Sequence, residues 1–225
     1  MPGTLYLVAT PIGNLADITL RALDTLRQVD VILCEDTRVT KPLLAHYQIS
    51  KPLISYHHHS DARKIKDIQK LLAENKNLAL VTDAGTPGIS DPGNALIQQL
   101  TIKQLNNEIL NIVPIPGPAA VTAALSISGF PTDQFLFLGF PPHKNKRQKF
   151  FAEIANRPYT VVFYESGHRI KKCLTELNQV LSPSTKVMIG RELTKKFETI
   201  YRGTITEISQ QKIDERGEFV IVINR

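Results

Sequence analysis

The segment of this chain best suited to binding a small molecule runs from Thr82 to Gly93 and contains three glycines, two prolines and two aspartates. Glycine permits unusual backbone angles and proline fixes φ, so this composition predicts a loop with one defined shape. An apolar run at 78–81 precedes the loop and is typical of a buried parallel strand. Open α/β sheets bind ligands at the carboxyl ends of such strands. Asp83 could accept hydrogen bonds from an amine or a hydroxyl, whereas the alternative is a structural turn in which Asp91 caps the next helix.

Charged side chains also follow three other apolar runs that are typical of strands. Glu35, Asp36 and Arg38 come directly after the run at 31–34. Three charged groups at a strand terminus indicate either a site or a solvated turn that contains an Asp36–Arg38 ion pair. The charged residues considered at the other two strand ends are Glu165, Arg169 and Lys195.

A compact basic cluster lies where a loop passes into a predicted helix. Lys144, Lys146, Arg147 and Lys149 place four cations within six residues. Such a cluster suits phosphate groups, and a solvated basic helix surface is the alternative. The whole chain is also basic, with a net charge of +6 and a pI of about 9.3, which makes an anionic partner plausible.

Composition restricts the class of protein. The chain has 225 residues, of which 42% are apolar, enough for one large domain or two small ones with a real core. Cys34 and Cys173 form no CxxC pair, so we expect buried thiols and a reducing compartment. With no apolar run near ~18 residues and no signal segment, we expect a cytoplasmic protein without a membrane span. The three consecutive histidines at 57–59 would alternate between faces of a strand, so no metal site is expected.

The elements that position these residues alternate between strands and helices. Five apolar runs between residues 4 and 115 are separated by helical periodicities, which predicts a parallel, doubly wound sheet. The loop after the first run contains only Gly13 and lacks the GxGxxG pattern of dinucleotide-binding folds. Prolines at 114, 116 and 118 suggest a junction, so we predict an N-terminal domain at 1–115 and a mixed-sheet α/β domain at 116–225.

Seven motifs follow one another along essentially the whole chain. They are Thr10–Leu15, Cys34–Arg38, Thr82–Gly93, Pro116–Ala119, Phe137–Phe140, Phe163–Ser166 and Arg191–Lys195. Seven ordered motifs are far more specific than any single one. Through them the chain strongly resembles the ribosomal small-subunit methyltransferase I family, which are 2′-O-methyltransferases with the tetrapyrrole-methylase fold.

The resemblance implies a class III methyltransferase made of two α/β domains, with a cleft between them that holds S-adenosylmethionine. It also implies a homodimer, and an acceptor that is the ribose of a cytidine in the decoding region of 16S rRNA in the small ribosomal subunit. The chain departs from the family pattern at Gly167, where members usually have proline, and we expect this to loosen the turn. By motif, the cofactor-binding residues are Pro11, Gly13, Asp83, Ala84, Gly85, Pro87, Ile89, Pro116, Gly117, Ala119, Leu138 and Gly139.

Methyl transfer to a ribose hydroxyl requires alignment of donor and acceptor more than it requires activation of the donor. The 2′-hydroxyl is a weak nucleophile, so a nearby base would help. The residues at strand ends that could provide it, among which the sequence does not choose, are Glu35, Asp36, Glu165 and Lys195. Basic residues would bind the RNA phosphates, and the candidates are Arg38, Lys144, Lys146, Arg147 and Arg169.

Two other functions are compatible with the same motifs. One is carbon methylation of a tetrapyrrole of the precorrin type, whose carboxylates could bind the basic cluster. The other is a non-enzymatic regulator that binds a nucleotide through the same loops. Transfer of label from S-adenosylmethionine to rRNA, to a tetrapyrrole or to neither would distinguish the three.

Overall fold

The computed structural model describes residues 2–57, 62–91, 93–102 and 110–225. The chain divides into two compact units, Met1–Ala119 and Ala120–Arg225. In the described residues, each unit is built on one five-stranded sheet. The two units are described separately below.

The sheet of the first unit is entirely parallel, as the alternation of apolar runs and helical periodicities predicts. Its strands are β1 (Leu5–Val8), β2 (Val31–Cys34), β3 (Leu53–Ser55), β4 (Leu78–Leu80) and β5 (Ile112–Ile115). They lie in the order β3-β2-β4-β1-β5. The helices are α1 (Leu20–Gln28), α2 (Thr37–His46), α3 (Ala62–Ala73) and α4 (Gly93–Ile102), and a short 3-10 turn spans Leu15–Asp17.

Helices cover both faces of this sheet. On one face, α1 and α2 contribute Leu26 and Leu44 to a core that includes Ile32 of β2. On the other face, α3 and α4 contribute Ile68 and Leu96 to a second core. Successive strand residues alternate between the two cores, so every strand is apolar on both sides. The predicted doubly wound α/β sheet is therefore confirmed.

The spacing of Ile18, Ala22, Leu26 and Val29 predicts a helix that includes Ile18, and the apolar run from Ile109 to Ile115 predicts a strand. Both elements start later in the structure. Helix α1 begins after Thr19, whose side chain accepts the N–H of Ala22, so Ile18 lies before the helix, although it packs against the same core as Leu26. Strand β5 begins at Ile112, while Ile109, at the predicted start of this strand, lies outside the described residues.

The strand order creates a topological switch point at the neighbouring strands β1 and β4. From β1 the chain passes β4 to reach β2, and from β4 it passes β1 to reach β5. The two connections run in opposite directions, and their helices α1 and α4 lie on opposite faces. Open α/β sheets bind ligands at the carboxyl ends of strands at such a point.

The second unit has a mixed sheet. Its strands are β6 (Phe135–Phe137), β7 (Thr160–Ser166), β8 (Lys186–Arg191), β9 (Thr199–Thr204) and β10 (Glu218–Ile223), in the order β6-β7-β10-β8-β9. Only the β6–β7 pair among these neighbours is parallel. The helices are α5 (Ala120–Ser128), α6 (Arg147–Ala155), α7 (Ile170–Val180) and α8 (Ile205–Gln210).

Three of these helices share one core. Phe151 of α6, Leu177 of α7 and Ile208 of α8 pack with Phe163 of β7, while α5 contacts β7 and β10. The spacing of Thr204 and Glu207 predicts a capping box. It is present at α8, where the Thr204 side chain accepts the N–H of Glu207 and the Glu207 carboxylate accepts the N–H of Thr204.

Both cysteines are free and buried, as expected from their apolar surroundings. None of the helices in the described part of the chain has the length and apolar character needed to cross a membrane. The same part contains no cluster of three or more metal-ligating side chains. Of the three consecutive histidines, only His57 belongs to it.

Candidate functional site

The loop that follows β4 is held by its own hydrogen bonds. Gly85 and Gly88 have φ angles of +88° and +85°, in the left-handed region that favours glycine. The Asp91 carboxylate accepts the N–H of Gly88 at 2.8 and 2.9 Å and the N–H of Gly93 at 2.7 Å. The side-chain amide of Asn94 donates to the Gly88 carbonyl at 2.6 Å. Asp91 thus supports both the loop and the start of α4, so the structural role that the sequence suggested for it is real.

Three of the predicted cofactor-binding segments meet at the switch point of the first unit. Thr10 and Gly85 exchange backbone hydrogen bonds at 2.9 and 3.1 Å, which join the loops after β1 and β4. The Thr10 hydroxyl also donates to the Thr82 carbonyl at 3.1 Å. The Thr86 hydroxyl donates to the Pro118 carbonyl at 3.1 Å, so the segment after β5 joins the same group.

Some residues of these segments are buried or half-buried, and the others form an exposed rim. Pro11, Gly85 and Pro87 are buried, and Asp83 and Ala119 are half-buried. A Cβ on Gly117 would lie 2.9 Å from the Cβ of Ala9, so only glycine permits the approach of these two backbones. The exposed rim consists of Gly13, Ala84, Ile89, Pro116 and Gly117.

Carboxylates lie at the neighbouring ends of β2 and β4. Oδ1 of Asp83 accepts the backbone N–H of Asp36 at 3.1 Å. Burial raises the pKa of Asp83 above its ordinary value, and the negative charge of Asp36 adds to this effect. The Thr82 hydroxyl donates to Oε2 of Glu35 at 3.4 Å, so Glu35 belongs to the same group.

Asp36 forms an ion pair with Arg38, as in the second of the two interpretations of this strand end given above. Its carboxylate caps α2 through the N–H of Arg38 at 2.8 Å and contacts the Arg38 guanidinium at 2.6 Å. These hydrogen bonds lower the pKa of Asp36 to about 2. Arg38 itself is highly exposed, with 89% of its side chain accessible.

The arrangement fits S-adenosylmethionine, the cofactor that the resemblance implies. Glycine-rich backbone can approach a ligand closely, and the Asp83 carboxylate can accept hydrogen bonds from ribose hydroxyls or an amine. Ile89, with 46% of its surface exposed, offers an apolar contact at the rim. A pyrophosphate-bearing dinucleotide fits less well, because the loop after β1 has Gly13 as its single glycine and lacks the GxGxxG backbone that holds a pyrophosphate.

The remaining predicted cofactor residues, Leu138 and Gly139, lie in the second unit just after β6. The N–H of Leu138 donates to the Val162 carbonyl at 3.0 Å, and the Gly139 carbonyl accepts the N–H of Tyr164 at 2.8 Å. The Tyr164 hydroxyl in turn accepts the N–H of Val121 at 3.1 Å, in the first turn of α5. Within this unit Tyr164 therefore links the strand end to α5, a role that its place in a Tyr-Glu-Ser motif did not reveal.

Glu165, a candidate base, is fully buried and saturated with donors. Its Oε2 lies 3.1 Å from Nη2 of Arg147, and its Oε1 lies 2.7 Å from Nε of Arg169. The backbone N–H of Ser166 donates to Oε1 at 2.8 Å. With both oxygens engaged in this way, the carboxylate is a structural anion rather than an accessible proton acceptor.

Arg147 requires a correction. The sequence grouped it with Lys144 and Lys146 as an RNA contact, but only 3% of its surface is accessible. Besides Glu165, its guanidinium contacts Glu176 of α7, with Nε 2.8 Å from Oε2. The two lysines are exposed, so the structure separates them from the arginine. Sequence reasoning missed Glu176 because nothing in α7 indicates which basic residue it pairs with.

Lys195 is held as a cation by two carboxylates. Its Nζ lies 2.9 Å from Oε1 of Glu192 and 2.8 Å from Oε2 of Glu218. Burial disfavours the charged ammonium, but the hydrogen bonds to Glu218 and Glu192 outweigh it, so the pKa of Lys195 is raised. In this arrangement Lys195 is a poor base. Glu192 and Thr194, with φ of +51° and +67°, hold the same turn in the left-handed region.

The expectation that Gly167 loosens its turn is wrong. Gly167 is buried, and its N–H donates to the Gly217 carbonyl at 2.9 Å. A Cβ at this position would lie 1.9 Å from the carbonyl oxygen of Glu215. The absence of a side chain therefore permits a tight backbone contact, and proline would remove the donor as well.

Comparison with known proteins gives one consistent result. Residues 4–209 match the family model described as Tetrapyrrole (Corrin/Porphyrin) Methylases. The chain is 43% identical to ribosomal RNA small subunit methyltransferase I of Xylella fastidiosa, over 99% of this chain and 81% of that protein. It is 41% identical to the Thermotoga maritima protein of the same name, over 99% and 98% of the two chains.

Solved structures agree on the fold. A cobalt precorrin-4 methyltransferase superimposes with a TM-score of 0.69 at 20% identity, over 98% of this chain and 94% of the other. A uroporphyrin-III-C-methyltransferase from Thermus thermophilus gives a TM-score of 0.65 at 17% identity, over 99% and 94%. The chain therefore has the tetrapyrrole-methylase fold.

Proposed function

The chain belongs to the ribosomal RNA small subunit methyltransferase I family, whose enzymes use S-adenosylmethionine, and we propose that it methylates the 2′-hydroxyl of a cytidine ribose in 16S rRNA. The relatives' names support rRNA of the small subunit as the substrate. The observation that carries the proposal is the junction of the loops after β1 and β4 at Thr10 and Gly85, where an open sheet binds its ligand.

In this proposal the three joined segments of the first unit bind the cofactor. The exposed backbone around Gly13, Ala84 and Gly117 approaches it, and Asp83 accepts hydrogen bonds from its polar groups. Leu138 and Gly139 are also proposed contacts. The cofactor supplies a methyl group already activated by a sulfonium, so the protein has chiefly to orient donor and acceptor and exclude water.

The base that receives the proton of the 2′-hydroxyl is proposed to be Glu35. Of the four candidates, Glu165 is saturated by arginines and Lys195 is held protonated. A pKa of about 2 makes Asp36 a weak proton acceptor. Glu35 is half-buried and lies beside the Asp83 loop, which leaves it the best placed of the four.

Lys144 and Lys146 are the proposed contacts to RNA phosphates. Replacing both by alanine should weaken binding of single-stranded 16S rRNA fragments. The salt slope, which is the fall in the logarithm of the binding constant per tenfold rise in salt, should decrease by about 1.4, since each phosphate contact adds about 0.7. Affinity for S-adenosylmethionine should stay unchanged, because these side chains are assigned to the acceptor. Filter binding across a salt series, together with calorimetry for the cofactor, measures both quantities.

A matched control removes the same charge elsewhere. Lys66 and Lys70 are exposed on α3, and their double alanine variant should leave the salt slope nearly unchanged. If the two double variants reduce the slope equally, net charge rather than Lys144 and Lys146 governs RNA binding.

The reaction itself is tested with S-adenosylmethionine labelled in its methyl group and small subunits from a strain that lacks this modification. Label should enter 16S rRNA, and the labelled nucleotide should resist alkaline cleavage because a methylated 2′-oxygen cannot attack its phosphate. Label in a tetrapyrrole would contradict the proposal. Cofactor binding without transfer to either acceptor would also contradict it and would favour a regulator.

A homodimer and a cytoplasmic location remain proposals. The family resemblance supports the homodimer, and the two free cysteines, which are typical of a reducing compartment, support the location. Light scattering at micromolar concentration would measure the mass of the particle directly.

A further inference from the structure

We propose that Glu165 and Arg169 position the basic loop, defined as Pro141–Lys146, so that Lys144 and Lys146 meet RNA phosphates in a fixed geometry. The assignment to RNA rests on the proposed function, whereas the positioning of the loop rests on the contacts described next. Glu165 and Arg169 thus become positioning residues rather than a base and a phosphate contact.

The basic loop is attached to the protein through two guanidinium groups. Nη1 of Arg147 donates to the carbonyl of Pro142 at 3.2 Å. Nη1 of Arg169 donates to the carbonyl of Pro141 at 3.3 Å. Prolines have no backbone N–H, so at these two positions the carbonyl oxygens are the only backbone groups that can hold the loop by hydrogen bonds.

Both guanidinium groups are themselves fixed by the same carboxylate. Oε2 of Glu165 accepts a hydrogen bond from Arg147, and Oε1 forms an ion pair with Arg169 at 2.7 Å. Arg147 is further held by Glu176 at 2.8 Å, and Arg169 by the hydroxyl of Ser166 at 2.9 Å. A buried carboxylate between two arginines therefore sets the positions of both loop anchors.

The loop ends at a residue in the left-handed backbone region. Lys146 is the N-cap of α6, its φ is +67°, and no side chain caps the helix there. The next residue is Arg147, so the basic loop leads directly into one of its two anchors. Exposed lysines gain little from phosphate contacts if their backbone must first be ordered, and a held loop removes that cost.

Arg169→Lys is the decisive variant, because lysine keeps the charge facing Glu165 but cannot also reach Ser166 and the Pro141 carbonyl as a planar fork can. Amide hydrogen exchange at 143–147 should become at least about threefold faster. RNA should bind about threefold to tenfold more weakly, and affinity for S-adenosylmethionine should change less than about twofold. Arg157→Lys is the matched control, because Arg157 lies just after α6 and its pair with Glu153 is exposed, and it should alter none of the three.

A double-mutant cycle separates positioning from general damage. In a protein that already lacks Lys144 and Lys146, Arg169→Lys should weaken RNA binding no further. Unchanged exchange at 143–147, or effects on RNA binding that simply add, would overturn the proposal. Faster exchange in a protein whose lysines do not affect RNA binding would support positioning of the loop and reject the proposed RNA contact. If Arg169→Lys does not fold, Glu176→Gln provides the same comparison from the Arg147 side.

Discussion

Replacing Glu165 by alanine should lower the free energy of unfolding by about 3–5 kcal/mol, the typical effect of removing one partner from a buried ion pair. The side chain is 0% exposed, and its loss leaves Arg169 without its carboxylate and Arg147 with only Glu176. Urea denaturation followed by circular dichroism measures the change. Glutamine should cost less, because its amide oxygen can still accept the hydrogen bond from Arg147.

The matched control is Glu153→Ala on α6. Glu153 also lies near two cations, Lys149 and Arg157, but its side chain is 49% exposed and the N–O distances are 3.8 and 3.9 Å. Exposed pairs contribute about 0–1 kcal/mol, so this variant should be close to the parent protein. Equal losses at the two positions would show that burial does not strengthen the Glu165 network.

The second large effect is expected at Gly85, where valine should weaken binding of S-adenosylmethionine at least about tenfold, or about 1.4 kcal/mol. A Cβ at Gly85 would already be in van der Waals contact with two of the three joined segments, 3.4 Å from Cγ2 of Ile12 and 3.7 Å from the Pro118 carbonyl. The two γ-methyl groups of valine extend beyond this Cβ, into the space where the segments meet the cofactor in the proposal. Calorimetry with the purified variant measures the affinity.

Valine at a positive φ also strains the backbone by about 1–3 kcal/mol, and this part of the effect needs its own control. Gly129 has φ of +73° and no atom within 4 Å of an added Cβ. Gly129→Val should therefore show a comparable loss of stability with normal cofactor affinity. Loss of affinity in both variants would mean that strain alone explains the result, and the Gly85 junction would lose its assigned role.

Much of this fold follows from local patterns in the sequence. Runs that are apolar on both faces predict the parallel strands of the first unit, and residues such as Thr204 with Glu207 predict a helix start. The convergence of the loops at Gly13, Asp83 and Pro116 also follows, because parallel strands that are neighbours end at one edge of a sheet. These predictions depend on spacing along the chain, which the sequence displays directly.

Pairing of charged side chains does not follow in the same way. Arg147 and Lys146 are adjacent cations in the sequence, yet one is buried and the other exposed. The difference arises because Glu165 on β7 and Glu176 on α7 meet Arg147 only after the second unit has folded. Lys195 is similar, since its protonation is favoured by Glu218, a residue of the last strand. Which long-range partner neutralises a charge is a property of tertiary packing.

The strand order of the first unit has a consequence for synthesis on the ribosome. β1 pairs with β4 and β5 but not with β2. Because synthesis proceeds from the N-terminus, β1 is made before the other strands of this sheet. It has no sheet partner until Leu78–Leu80 has been translated. Until then an apolar strand with two open edges must be shielded, because unpaired edges promote aggregation. The nascent chain therefore passes through a vulnerable interval. It shortens when β4 is inserted between the first two strands, and it ends when β5 covers the other edge of β1.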